Sequence, residues 1–312
     1  MTMTTEHLAT DPDDILRAAA LLAAGELVAL PTETVYGLGA DATNGQAVAG
    51  IFAAKGRPSF NPLIVHVADT AAARALTQWS DLADQLAAAF WPGPLTLVLP
   101  VSQTAPLSDL VRAGQPSVAI RVPAHPVMRR VLEALDRPIA APSANPSGRI
   151  SATRPEHVLM GLNGKIAALV DDGPSDVGIE STIVGLTDIP RLLRPGGVPQ
   201  SVLEATLGLS LAGTTDTVTA PGQLSSHYAP KAALRLNVTQ AEPGEHHLGF
   251  GDVSGTLSLS RAGDLREAAA KLFACLHRLD ALGGPIAVAP IPKTGLGHAI
   301  NDRLSRAAAP RD

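Results

Sequence analysis

A chain of 312 residues, 46% hydrophobic and 17% charged, is too long for a peptide-sized scaffold and too apolar for disorder. At ~150 residues per domain it should hold about two domains. Its net charge of −5 excludes a protein that coats nucleic acid by charge alone. The one cysteine, Cys275, excludes an internal disulfide or a thiolate metal cage and suits a reducing compartment, so cytoplasm is the expected location. Its place on an apolar helical stretch makes it core packing. No basic stretch leads into an apolar core at the N-terminus, and Pro92, Pro94 and Pro100 interrupt the run from Leu86 to Val101. Neither a signal peptide nor a membrane span is expected.

In chain order, Asp11-Pro12-Asp13-Asp14 before Ile15, Leu16, Ala19 and Leu22, with Gly25 as stop, predicts a capped helix. A short buried strand follows at Leu27–Leu30, then a helix near Gln46–Ala54, a strand at Leu63–Val67 and helices within Thr70–Phe90. Strands are expected at Leu95–Pro100, Val118–Val122, Ile139, Ala167–Val170 and Thr182–Val184, with helices at Pro126–Leu135 and Pro199–Leu207. This mixture predicts an α/β domain over residues 10–207. Residues 208–231 lose periodicity and have linker composition, rich in Ser, Thr, Gly, Ala and Pro. Residues 232–312 resume with strands at Ala232–Leu236, Leu248–Phe250, Thr256–Leu259 and Ile286–Ala289 and helices at Asp264–Leu282 and Leu296–Ala308, a second, smaller α/β domain. No internal repeat is visible.

The chain has no Walker loop, H-E-x-x-H, G-x-S-x-G or paired C-x-x-C, so any nucleotide chemistry runs without the usual cradle. Four segments concentrate polar groups instead. Leu30-Pro31-Thr32-Glu33-Thr34-Val35-Tyr36-Gly37-Leu38-Gly39-Ala40-Asp41 sits at a strand end, where α/β proteins place ligand loops, though it also reads as a plain strand-turn, its glycines at positive φ and Glu33 a surface acid. Lys55-Gly56-Arg57 through Asn61 to His66 places two cations, suited to a polyphosphate, in what reads as an open loop between helix and strand. The same cations would also suit a helix C-terminus, and His66 would also suit a core. Arg121 lies in an otherwise apolar strand, where a guanidinium is costly unless paired, and Ser143, Asn145, Ser147 and Ser151 follow in a constrained loop. The last segment joins Asp171-Asp172-Gly173-Pro174 to Glu180-Ser181-Thr182 and Arg194; its acids have no metal-binding spacing, and the metal ligands stay unassigned. Seven arginines against two acids between Arg112 and Arg154 offer a basic face for anions.

Together these segments resemble the YrdC-like domain of threonylcarbamoyl-AMP synthases: K-x-R at Lys55 and Arg57, S-x-N at Ser143 and Asn145, between PTETVYGLGAD and GIESTIV with LLRPG. Pro221-Gly222 with Ser226-His227-Tyr228-Ala229-Pro230-Lys231 resembles the linker of the two-domain Sua5 form, and Gly295-Leu296-Gly297 with Ala299-Ile300-Asn301-Asp302-Arg303-Leu304 resembles its C-terminal domain. The resemblance implies a YrdC-like twisted α/β fold followed by a Rossmann-like α/β domain. It also implies a nucleotidyltransferase that makes L-threonylcarbamoyladenylate and pyrophosphate from L-threonine, bicarbonate or CO₂, and ATP with Mg²⁺. The product would serve N6-threonylcarbamoyladenosine (t6A) formation at position 37 of tRNA, through downstream transferase machinery. By the same resemblance Thr34, His66, Arg121 and Ser181 would hold threonine, with Arg121 on its carboxylate. Lys55, Arg57, Asn61, Ser117, Ser143, Asn145, Ser151 and Arg194 would hold ATP, Lys55, Arg57, Ser143 and Asn145 being the catalytic set. Tyr228, with His227, would fold over the nucleotide. The rival readings are a carbamoyl-adenylate enzyme acting on another substrate, as in hydrogenase-maturation carbamoyltransferases, and an RNA-binding module using the basic face.

Overall fold

The computed structural model describes residues 4–214, 220–222 and 226–310. Residues 215–219 and 223–225 of the expected linker lie outside the described residues. The strands are β1 (Glu6–Leu8), β2 (Val28–Leu30), β3 (Gly37–Asp41), β4 (Ile64–His66), β5 (Leu95–Pro100), β6 (Ser117–Arg121), β7 (Ile139–Ala140), β8 (Ala168–Val170), β9 (Thr182–Gly185) and β10 (Arg191–Arg194). They form one mixed sheet in the order β1-β8-β2-β3-β7-β4-β6-β5-β9-β10. Helices α1 (Pro12–Ala23), α2 (Gly45–Lys55), α3 (Thr70–Leu76), α4 (Asp81–Phe90), α5 (Asp109–Arg112), α6 (Pro126–Leu135), α7 (Pro155–Leu162) and α8 (Gln200–Leu207) accompany it. A second, four-stranded parallel sheet takes the order β11-β14-β12-β13 from β11 (Leu234–Arg235), β12 (His246–Gly249), β13 (Leu257–Ser258) and β14 (Ile286–Val288). Helices α9 (Leu265–Leu282) and α10 (Gly297–Ala308) belong to this part. The fold is thus the expected larger α/β domain followed by a smaller one.

The helix signals act as local chemistry predicts. Asp11 caps α1 by accepting from the amides of Asp13 and Asp14, and Ile15, Ala18, Ala19 and Leu22 turn inward. Asn44 caps α2 in the same way, and Gly56, at φ 61°, ends it. That stop decides the position of two cations. Lys55 becomes the last residue of a buried helix turn, and the chain reverses so that the amide of Arg57 donates to Phe52.

Several elements were not expected. β1 pairs in parallel with β8, and Gly37–Asp41, read from its glycines as a turn, is a strand buried along its whole length. There a side chain at Gly39 would press within 3.1 Å of the Val28 carbonyl, so glycine lets β2 and β3 close. α7 and β10 were also unforeseen.

The two domains share a core. Around α9 and the second sheet pack Leu248, Leu272, Phe273, Leu276, Ile286 and Ile300, joined by Val35, Ile150 and Ile179 from the first domain and Tyr228 from the linker. At Gly178, φ 71°, a Cβ would stand 2.4 Å from the Cα of Ala270, so backbone of the first domain lies directly on α9.

Candidate active site

Sheet register assembles the first half of the site. In the parallel pair β4/β6, His66 stands opposite Arg121, so both side chains emerge on one face at the strand ends. The Arg121 guanidinium is buried and donates to the Gly93 carbonyl (Nε, 3.1 Å), Thr34 Oγ1 (Nη1, 3.0 Å) and Glu33 Oε1 (Nη2, 2.5 Å). Glu33, expected as a possible surface acid, is instead its buried counter-ion. Burial pushes the Glu33 carboxyl up, but the charge and hydrogen bond of Arg121 outweigh it and leave the group below the usual carboxylate range. Burial, reinforced by Arg121, drives His66 down to about 3, so its imidazole is neutral at physiological pH, and its Nδ1 has no partner among the described residues. Thr32 accepts from the amides of Thr34 and Val35, which fixes the loop carrying Thr34.

The second half is a wall of cations held by backbone carbonyls. Lys55 and Arg57, expected in an open loop, are both buried: Lys55 ends α2 against the Ser143–Asn145 segment, and Arg57 turns back onto its own loop. Lys55 Nζ donates to the carbonyls of Ser143 (2.5 Å) and Asn145, and burial with the neighbouring Arg57 charge lowers its pKa well below that of a free lysine. Arg57 donates to Asn61 O (3.1 Å), Asn61 Oδ1 (2.8 Å) and Pro62 O (2.7 Å). Arg194 grips Ser181 through its carbonyl (2.9 Å) and hydroxyl (3.2 Å) and reaches Pro221 O at 3.2 Å. Ser151 donates to Glu180 Oε1 at 2.5 Å, and Glu180 Oε2 accepts from Arg303 Nε at 2.7 Å.

These halves meet in one cavity of about 50 Å³, walled by Thr34, Arg57, His66, Arg121, Ser143, Glu180, Ser181 and Arg194 and partly covered by Pro221, Gly222, His227 and Tyr228. Of the expected site residues, Lys55, Asn61, Asn145 and Ser151 stand behind that wall, holding the loop carbonyls, Arg57, the Ser143–Arg149 loop and Glu180 respectively. Ser117 shares the β6 face of Arg121 but lies off the wall. Tyr228, at φ 62°, is clamped between His227 (ring centroids 4.1 Å), Phe273 (5.7 Å) and the Arg303 guanidinium (5.0 Å). Gly222, φ 84°, leaves room for its hydroxyl, which would lie 2.6 Å from a Cβ there. A cavity this small cannot contain ATP, whose pocket needs hundreds of Å³.

Five of the seven arginines of the basic stretch have partners within the chain. Arg112 pairs with Asp109, Arg121 with Glu33, Arg137 with Asp41 and Arg154 with Glu156, while Arg130 donates to the Thr10 carbonyl. Among the described residues no group of three His, Cys, Asp or Glu could hold a metal ion, and no helix is long and apolar enough to cross a membrane. Sequence reasoning gave no role to Glu33, Glu180 or Arg303. Arg121 in an apolar strand signalled that a counter-ion existed, without saying which.

A twisted α/β domain that buries two cation-lined half-sites under one cover defines a small-molecule-binding enzyme domain. The chain belongs to the Sua5/YciO/YrdC family in its two-domain form: a family model described as telomere recombination matches residues 20–196, and one described as the threonylcarbamoyl-AMP synthase C-terminal domain matches residues 198–309. It is 41% identical over 334 residues to the threonylcarbamoyl-AMP synthase of Bacillus subtilis, covering 98% of this chain and 96% of the relative. It is 39% identical over 320 residues to that of Pyrococcus abyssi, covering 94% of each. The crystal structure of P. abyssi Sua5 complexed with L-threonine superimposes with a TM-score of 0.90 at 36% identity, covering 98% of both chains. The nucleotide-bound HypF structure shares the fold of 60% of this chain (TM-score 0.54, 20% identity, 29% of that chain).

Proposed function

We propose that this chain is a threonylcarbamoyl-AMP synthase, a nucleotidyltransferase that condenses L-threonine, bicarbonate or CO₂, and ATP to L-threonylcarbamoyladenylate and pyrophosphate. The observation that carries the reading is the single covered cavity in which a carboxylate-reading set, Arg121 with Thr34, His66 and Ser181, faces a phosphate-reading set, Arg57, Ser143 and Arg194. The synthases of B. subtilis and P. abyssi match over nearly the whole chain, which supports it.

The geometry suits the chemistry. The threonine amine attacks CO₂ and loses a proton, and a carbamate oxygen then attacks the α-phosphorus as pyrophosphate leaves. The carbamate is a transient, weak nucleophile that reverts in water, so proximity and a dry site matter more than a covalent nucleophile. Arg57 and Arg194, fixed by carbonyls before any ligand arrives, offset the charge that gathers on the leaving pyrophosphate without reorganising. Lys55 shapes the loop that presents Ser143 and Asn145. Mg²⁺ would arrive on the triphosphate rather than in a resident cage: the carboxylate on the wall, Glu180, is taken by Ser151 and Arg303. When bound, that ion would neutralise phosphate charge.

The product would feed N6-threonylcarbamoylation of adenosine 37 in tRNA by a separate transferase, and we place the protein in the cytoplasm, where its lone cysteine is at ease. The test is exchange of labelled pyrophosphate into ATP. Exchange that requires both threonine and bicarbonate supports the reading; exchange without threonine, or none, overturns it.

A further inference from the structure

We propose that Arg303, contributed by α10 of the C-terminal domain, is a positioning residue for the nucleotide half of the cavity: it cancels the charge of Glu180 and holds Tyr228 in the cover. The inference rests on the functional reading above.

Arg303 is among the largest fully buried side chains of the protein. Its Nε donates to Glu180 Oε2 at 2.7 Å, its Nη1 to Asp302 Oδ2 at 2.6 Å, and its guanidinium carbon lies 5.0 Å from the Tyr228 ring centroid. One cation thus touches three parts of the chain: the first domain at Glu180, the linker at Tyr228, and its own helix. Asp302 is also held by Arg306, one turn on, whose carbonyl accepts from the His227 amide at 3.2 Å. The last helix therefore grips both aromatic residues of the cover.

Glu180 is what makes this grip matter for the ligand. It is the acid on the wall of a cavity otherwise lined by Arg57, Arg121 and Arg194. Bare, a buried carboxylate there would repel a triphosphate, and burial makes that repulsion strong. With Arg303 behind it, Glu180 is neutralised on the side away from the cavity and keeps the Ser151 hydroxyl as its second partner. A guanidinium with no role beyond gluing the domains would need only the ion pair. Here it also supplies a face to Tyr228, the residue that closes over the cavity.

The test uses the full chain. Arg303→Met is expected to raise the KM for ATP by about tenfold or more while leaving threonine affinity within about twofold. Adding Glu180→Gln to that variant removes the uncompensated charge and is expected to recover most of the lost ATP affinity. Because it also restores stability, the readout that separates positioning from structure is the split between ATP and threonine affinity in folded protein, which a purely structural role would move together. Arg303→Lys keeps the charge but loses part of the geometry and falls between; should Arg303→Met fail to fold, Arg303→Lys alone is read against the wild type by its affinity for the ATP analogue. Affinity for a non-hydrolysable ATP analogue, read by calorimetry, is expected to fall in parallel. That readout needs no turnover, so it judges Arg303 even if wild-type exchange fails and the reading of the reaction falls. Folded Arg303 variants with wild-type ATP affinity, or a double variant no better than the single, would overturn the proposal.

Discussion

The proposed contact of threonine with Arg121 can be weighed against the scaffold that holds the guanidinium. Three of its five N–H groups are engaged, by Gly93, Thr34 and Glu33, which leaves the rest of the fork for a ligand carboxylate. Arg121→Met alone confuses two effects, because it strands the buried Glu33 carboxylate and would cost about 3–5 kcal/mol of stability. Pairing it with Glu33→Gln removes both charges and isolates the ligand contact. Charge-assisted bonds to that carboxylate are worth about 1.5–3 kcal/mol, so the threonine Kd of the double variant should rise roughly 10- to 150-fold. Affinity for the ATP analogue should hardly change, since Arg57 and Arg194 keep their own carbonyl partners. Calorimetric titration with threonine, and separately with the analogue, reads both. A folded double variant that binds threonine within about threefold of wild type would refute the assignment of Arg121 to the carboxylate.

Lys55→Met should strip the carbonyls of Ser143 and Asn145 of their buried donor, at about 1–3 kcal/mol each, and depress pyrophosphate exchange while leaving threonine binding in place. Unchanged exchange at low ATP would remove Lys55 from the machinery. Gly178→Ala forces a Cβ onto the α9 backbone in a left-handed conformation, so thermal unfolding should show a loss of at least about 2 kcal/mol and the linker should become more protease-sensitive. Wild-type melting would show that the domains are not docked there. For pH, His66 and His227 are both driven to about 3, chiefly by burial, whereas the unfolded chain takes up these protons near pH 6.5. The unfolded state binds more protons below about 6.5, so stability is full above that pH and declines on acidification by up to about 1.4 kcal/mol per pH unit for each histidine. Urea midpoints near pH 7.5 and 5.5 check the sign; an equal or higher midpoint at the lower pH contradicts it.

What the sequence revealed depended on how local the controlling physics is. Capped amphipathic helices such as Pro12–Ala23, with acid N-cap, proline and inward Ile15 and Leu22, are written within one short window. The strand Gly37–Asp41 was hidden because it is buried on both faces between β2 and β7, where glycine and alanine fit for lack of room and no alternation survives. Glu6–Leu8 offers only Leu8 to the core, too little pattern to see. The cations of the site were visible as residue types, but their burial was not: Lys55 is enclosed only because Ser143 and Asn145 return from 88 and 90 residues away. Glu180 and Arg303 meet across 123 residues, and neither reads as more than an acid or a base in its own window.

The cover of the cavity is also the covalent connection between the two domains. Pro221 is anchored to Arg194, and the amide of Ala229 to the carbonyl of Gly148, so the segment is fastened to the first domain on both sides of its aromatic pair. Docking of the second domain on the first is therefore intramolecular, with an effective concentration set by chain length, in the millimolar range for short tethers, and indifferent to how dilute the protein is. One cut between residues 222 and 226 would break no side-chain contact described above. It would nonetheless make that docking bimolecular, resting only on the non-covalent contacts at Gly178 and Arg303. The nicked protein should consequently lose activity on dilution, as the intact chain does not.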